Sequence, residues 1–154
     1  MKVIGKVMLV AFVTMLGTAI IFSVPSYSES QDITKEEVSE FLEKAKNICN
    51  EMNVEALKAI YWSEYKRISA SDPRVYDYSK YMLIVAVAWM GMKEYKYDYL
   101  LEDLSIEGNK ATVVLSITDV MVFKSGESEK FTYRQKEMIE KRDGVLKYIL
   151  TEDL

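Results

Sequence analysis

The last sixty residues, Tyr95 to Leu154, carry three reverse-turn signals that cut them into four segments of strand length. Gly108-Asn109 and Asp143-Gly144 are residue pairs that accept the positive φ of a tight hairpin, and the stretch Lys124 to Glu129 around Gly126 is a looser third turn. Strands are therefore expected at about 97–107, 110–123, 130–142 and 145–153. Because strand side chains alternate between two faces, the turn register decides which of them meet.

A two-residue turn at Gly108-Asn109 sets Ile106 opposite Ala111, Leu104 opposite Val113, Leu100 opposite Ile117 and Asp98 opposite Asp119. The apolar members define an inward face, with Glu102 opposite Leu115 as the exception. Pairing Phe123 with Phe131 across the looser turn places Asp119 beside Gln135 and Ile117 beside Glu137. Asp98, Asp119, Gln135 and Glu137 are thus expected together at the open end of an apolar surface. Crowded carboxylates there repel one another and lose hydration, which raises at least one pKa. One β-bulge would reverse the facing of every residue beyond it.

The first half reads as helical. Thr34 to Glu37 has the form of a capping box, and apolar residues recur at Val38, Phe41, Leu42, Ala45, Ile48, Cys49 and Met52. Asn53 can cap a second helix with Val54, Leu57, Ile60, Tyr61 and Tyr65 on its apolar side, and polar Ser63 to Ser71 then reads as a loop. Asp72-Pro73 looks like the start of a third helix running to about Lys93, with a buried strand over Leu83 to Trp89 as the competing reading. Its segment Tyr81 to Met92 is apolar nearly all round, which predicts burial on several sides. Twelve helical residues rise only about 18 Å, too few to cross a hydrocarbon core of about 30 Å.

Lys2 and Lys6, the apolar run Val7 to Phe22, and the small residues around Ser26 and Ser28 follow the order of a secretory signal. Residues 1–28 are read as a signal peptide, 29–33 as a flexible tether and 34–154 as one domain. The product is then exported, to a periplasm or outside the cell. Retention of the segment as a single N-terminal anchor is the alternative, and only then is a membrane a partner. Without Lys2 and Lys6 the chain has 18 basic and 24 acidic residues, a net charge of −6 that disfavours nucleic acid.

Histidine is absent, which removes Ser-His-Asp and Cys-His catalysis and histidine-ligated metals. Cys49, the single cysteine, lies on an apolar helix face and reads as a packed thiol. No nucleophile motif, cofactor motif or metal loop is found, so no cofactor and no metal are expected.

Asn53-Val54-Glu55-Ala56-Leu57 after the first helix, the strand-turn-strand from Tyr99 to Val113, and Lys141-Arg142-Asp143-Gly144-Val145-Leu146-Lys147 resemble the nuclear transport factor 2-like superfamily, with its SnoaL-like, cystatin-like α+β fold. The resemblance implies three N-terminal helices packed on a curved four-stranded antiparallel sheet, forming a cone with an open pocket. Its members include isomerases, dehydratases, transport factors and envelope-assembly domains, so the fold does not choose a function. Small exported members of uncharacterised function are the most similar.

Within such a cone the pocket candidates are Tyr61, Tyr81, Trp89, Asp98, Asp119, Tyr133, Gln135 and Glu137. The favoured reading is a non-catalytic module that binds a small apolar or amphipathic ligand, or a protein partner. An acid-base enzyme using Asp98 or Asp119 with a tyrosine is the first alternative, and a membrane-anchored assembly domain the second. The alternation Tyr95-Lys96-Tyr97-Asp98-Tyr99 is expected to turn its aromatic side outward, where it would suit a homodimer through the outer sheet face.

Overall fold

The computed structural model of the chain describes residues 32–70 and 74–154; the expected signal segment, most of the tether and the Asp72-Pro73 start signal lie outside them. The first helix, α1, spans Lys35–Asn50. Thr34 and Glu37 form the full capping box, and Val38, Phe41, Leu42, Ala45 and Ile48 are buried. The fold takes in Ile33, the last residue of the expected tether. Ile33 is itself buried, and its N–H donates to the Gly108 carbonyl at 2.9 Å.

Asn53 caps α2, Val54–Ala59, but this helix stops short of the expected length. The next residues form strand β1, Tyr61–Ile68, where a helix end and a loop were predicted. Tyr61 and Tyr65 fit a helical stripe of period 3.6, yet together with Arg67 they fit a strand of period two equally well. The strand prevails because it pairs in parallel with the chain's last strand, Lys66 with Leu150 and Arg67 with Thr151, and buries Tyr65 almost completely. A short strand β2, Val75–Asp77, lies on its other side.

Helix α3 covers Tyr78–Gly91, with Asp77 accepting from the Lys80 N–H as its N-cap. It is a helix throughout, so the strand reading of Leu83 to Trp89 fails, and it begins some five residues later than predicted. Only Met82 and Trp89 are buried. Leu83, Val87 and Met90, on one stripe, are 64, 60 and 73% exposed. Burial on several sides is therefore not what this chain does by itself. Among the described residues no helix is long and apolar enough to cross a membrane.

The four expected strands are present as β3, Met92–Glu107, β4, Lys110–Phe123, β5, Ser128–Arg142, and β6, Val145–Asp153. They belong to a sheet of six strands in the order β2-β1-β6-β5-β4-β3, mixed because β1 and β6 run parallel. The expected sheet of four antiparallel strands was too small. Gly108 has φ 59°, and Asp143 and Gly144 have φ 49° and 76°, the double positive φ of a type I′ hairpin turn. The core lies between α1, α2 and the inner sheet face, where Val113, Leu115, Ile117 and Ile139 are fully buried. Each such side chain stabilises the fold by about 1.5–3 kcal/mol relative to exposure.

Register carries the main surprise. Ile106 pairs with Ala111 and Leu104 with Val113 as predicted, but a bulge at Glu102 then shifts the ladder, so that Leu101 meets Leu115, Tyr99 meets Ile117 and Tyr97 meets Asp119. One extra residue reverses the facing of β3 from Leu101 back to Glu94, where a second irregularity shifts the ladder again before Met92. Tyr95, Tyr97 and Tyr99 turn inward and Leu100, expected inside, is 67% exposed. The β4–β5 hairpin closes over residues 124–127, with the Phe123 N–H donating to the Glu127 carbonyl at 2.9 Å. Asp119 therefore faces Phe131, Gln135 faces Leu115 and Glu137 faces Val113. This differs from the predicted pairing by four residues, an even number, so the same residues point inward while Gln135 and Glu137 sit deeper.

Candidate functional site

A cavity of about 210 Å³ opens between α3 and the inner face of the sheet. Alternation on each strand dictates its walls: Tyr61 and Arg67 come from β1, Tyr95 and Tyr97 from β3, and Tyr133, Gln135 and Glu137 from β5. Helix α1 adds Cys49, and α3 adds Tyr81 and Trp89. Strand β6 adds both Tyr148 and Thr151, which their odd spacing of three residues forbids on a regular strand. A bulge around Ile149 permits it, setting Tyr148 opposite Ile139 and Thr151 opposite Glu137.

The tyrosines support one another. Tyr61 packs edge-on to Tyr65 with ring centroids 4.5 Å apart, and lies 5.0 Å from Tyr148 and 5.7 Å from Tyr81. Ring contacts of this kind hold the wall rigid, which lowers the entropic cost of receiving a ligand. Arg67 is fixed at the edge: its Nη2 donates to Asp153 Oδ1 at 2.7 Å, and its guanidinium lies 5.6 Å from the Tyr81 ring centre.

Glu137 is only 4% exposed. Its Oε1 accepts from Gln135 Nε2 at 2.6 Å, while its Oε2 has no partner. Burial pushes its carboxyl up to about 7, against the Tyr148 hydroxyl, the Gln135 amide and the Arg67 charge, which all favour the ionised form. The Tyr148 hydroxyl does not close a bond on Oε2. Gln135 Oε1 is also buried without a partner, because the amide turns its N–H to the carboxylate.

Asp119, equally buried, accepts from the Tyr133 hydroxyl at 2.8 Å on Oδ2 and leaves Oδ1 unpartnered. Burial raises its pKa, with Tyr95 and Tyr133 opposing. It lines a second, more open cavity of about 480 Å³ that shares Arg67, Met121 and Tyr133 with the first and includes Phe131 and Asp153. Burial pushes the Cys49 thiol up to about 12, assisted by the Glu137 and Asp119 charges, so it stays protonated and unreactive at neutral pH.

Of the eight predicted pocket residues, Tyr61, Tyr81, Trp89, Tyr133, Gln135 and Glu137 line the first cavity and Asp119 the adjoining one. Asp98 is a correction. The Glu102 bulge turns it out, where its side chain is 70% exposed and pairs with Lys46 at 2.7 Å. That contact holds its pKa down, the opposite of what a pocket base needs. The aromatic side of Tyr95, Tyr97 and Tyr99, expected to face outward, is the inner wall instead.

Arg67, Tyr95, Tyr97 and Tyr148 were missed. The period-two series Tyr61, Tyr65, Arg67 was a signal for the first, obscured by its polar neighbours. Tyr95 and Tyr97 lie beyond the bulge, and nothing in the strand's composition marks that irregularity. Among the described residues no group of three acidic or cysteine side chains is placed to hold a metal ion.

No family model matches this chain, and no curated protein matches it by sequence. Solved structures do. A nuclear transport factor 2-like protein from Salmonella enterica serovar Typhimurium superposes with a TM-score of 0.66 at 12% identity, covering 77% of this chain and 88% of its own. An uncharacterised protein with a cystatin-like fold from Caulobacter vibrioides gives 0.63 at 14% identity, over 77% and 86%. A hexachlorocyclohexane dehydrochlorinase from Novosphingobium barchaimii gives 0.58 at 15% identity, over 76% and 82%. At such identities the likeness is one of fold.

Proposed function

We propose that this nuclear transport factor 2-like domain binds a small, mostly apolar molecule in the cavity between α3 and the sheet, holding the molecule's polar end at Glu137. The observation that carries this reading is the unpartnered Oε2 of Glu137 on the wall of a tyrosine-lined cavity. A buried acceptor left unpaired costs about 1–3 kcal/mol, a cost that a ligand's hydrogen-bond donor removes. Apolar walls with a few polar groups are the usual make-up of a small-molecule site. The secretory pattern of residues 1–28 supports export, and an N-terminus at Glu29 by mass spectrometry of the processed product tests it.

The binding test uses indole and 2-phenylethanol with ¹⁵N-labelled protein. Both are expected to shift the amide signals of Tyr97, Gln135 and Glu137, and Ala88→Trp at the cavity rim to abolish those shifts. Failure of every such apolar fragment to perturb these amides sinks the reading.

A second reading is proton-transfer catalysis. It is favoured by the Glu137 carboxyl standing near 7, where a general base works best at neutral pH, and by neutral tyrosine hydroxyls around it. Glu137 replaces Asp98 in that role. Turnover abolished in Glu137→Gln with ligand affinity retained would separate catalysis from binding.

A further inference from the structure

We infer that the ligand of this cavity carries a protonated amine, an organic ammonium group seated against Glu137 with its apolar body among the tyrosine rings. This deepens the small-molecule reading and rests on it. The first support is the polarity of what is left unpaired. Of the buried side-chain atoms without a partner among the described residues, the three on residues that line the cavities, Asp119 Oδ1, Gln135 Oε1 and Glu137 Oε2, are all acceptors, and the Tyr65 hydroxyl belongs to neither lining. A ligand that satisfies them brings N–H or O–H groups, and an ammonium brings up to three from one atom.

The second support is the wall. Tyr61, Tyr81, Tyr97 and Tyr148 surround the carboxylate on β1, α3, β3 and β6, and ring faces attract cations most strongly where water is excluded. The third is the acid balance. Glu137 and Asp119 are buried on the walls of two joined cavities, whereas the cationic charge there is already engaged, Arg67 by Asp153 and the Tyr81 ring and Arg134, at the second cavity, by Glu102. An incoming anion would find that charge taken. Hard metal cations need about six oxygen ligands, and two carboxylates flanked by phenols do not supply them.

The charge state of the site follows from its neighbours. Cys49 and the surrounding tyrosines, Tyr65 included, are pushed upward by burial and stay neutral between pH 5 and 8. Arg67 stays charged across that range. Glu137 is the group that changes, and burial raises the Asp119 carboxyl above its ordinary value as well.

Calorimetric titration with three probes of similar shape tests the inference: 2-phenylethylammonium, 2-phenylethanol and 3-phenylpropionate. At pH 8 the ammonium should bind about tenfold more tightly than the alcohol, and the carboxylate more weakly than either. At pH 5 the ammonium should lose that advantage while the alcohol is unchanged, a comparison that needs no variant. Glu137→Gln should reproduce the pH 5 pattern at pH 8. An ammonium no tighter than the alcohol, or an advantage that persists at pH 5, overturns the amine and leaves the cavity reading standing. Absence of binding by all three overturns both.

Discussion

Glu137→Gln keeps the shape of a buried side chain and removes its charge, so it isolates what ionisation costs the fold. In the unfolded chain this carboxyl has an ordinary value of 4.5, and in the folded protein burial holds it at about 7. At about 1.4 kcal/mol per pH unit the gap amounts to about 3 kcal/mol. The sign follows from proton counting. Between pH 4.5 and 7 the folded state binds the proton more tightly than the unfolded state, so stability is highest below 4.5 and falls as pH rises towards 7. Above that range the loss is complete and constant. The glutamine variant has nothing to titrate there and escapes the loss. Urea denaturation of both proteins from pH 4 to 8 should therefore show a stability difference that moves in the variant's favour by about 3 kcal/mol between the two ends. Groups common to both proteins cancel in the difference. A difference independent of pH would refute the reasoning, because it would mean that Glu137 is solvated or paired well enough to ionise normally.

Other substitutions probe separate parts of the structure. Tyr133→Phe removes the hydroxyl that donates to Asp119, so the Asp119 carboxyl should titrate at higher pH, which NMR of its side-chain carbon reads directly. Ile117→Ala, at a fully buried position of β4, should cost about 2–5 kcal/mol in urea denaturation. Val87→Lys on the exposed stripe of α3 should change stability by less than about 0.5 kcal/mol in the same assay, although the sequence there reads as core. Asp98→Asn should leave both fragment binding and thermal stability within error, since its carboxylate faces solvent beside Lys46.

What could be read in advance follows a physical line. Turns announce themselves through residues that tolerate positive φ, so Gly108 and the pair Asp143-Gly144 placed two hairpin turns nearly to the residue. Long alternating strands follow from those turns. β1 was hidden because two tyrosines four apart satisfy both periodicities, and the choice between them was made by a partner strand some eighty residues away. Of the site, Gln135, Glu137 and Asp119 were legible because an error of four residues in the hairpin register preserves facing. Asp98 was not, because an error of one does not. The role of Glu137 as the most perturbed acid needed burial from α1, β1 and α3 together, which no local pattern of β5 reports.

The bulge at Glu102 acts on β3 as a frameshift acts on a reading frame. Every side chain from Glu94 to Leu101 is assigned to the interior or to solvent by its register beyond that bulge, not by its own chemistry. The phenolic lining of Tyr95 and Tyr97 and the charged exterior of Lys96 and Asp98 are therefore one choice made once. Point substitution can alter each letter of that segment but cannot exchange its two messages. Deleting residue 102 does not exchange them either, because it removes the extra residue and leaves Tyr97 opposite Asp119, whereas a ladder that kept Glu102 in register would line the cavity with Lys96 and Asp98.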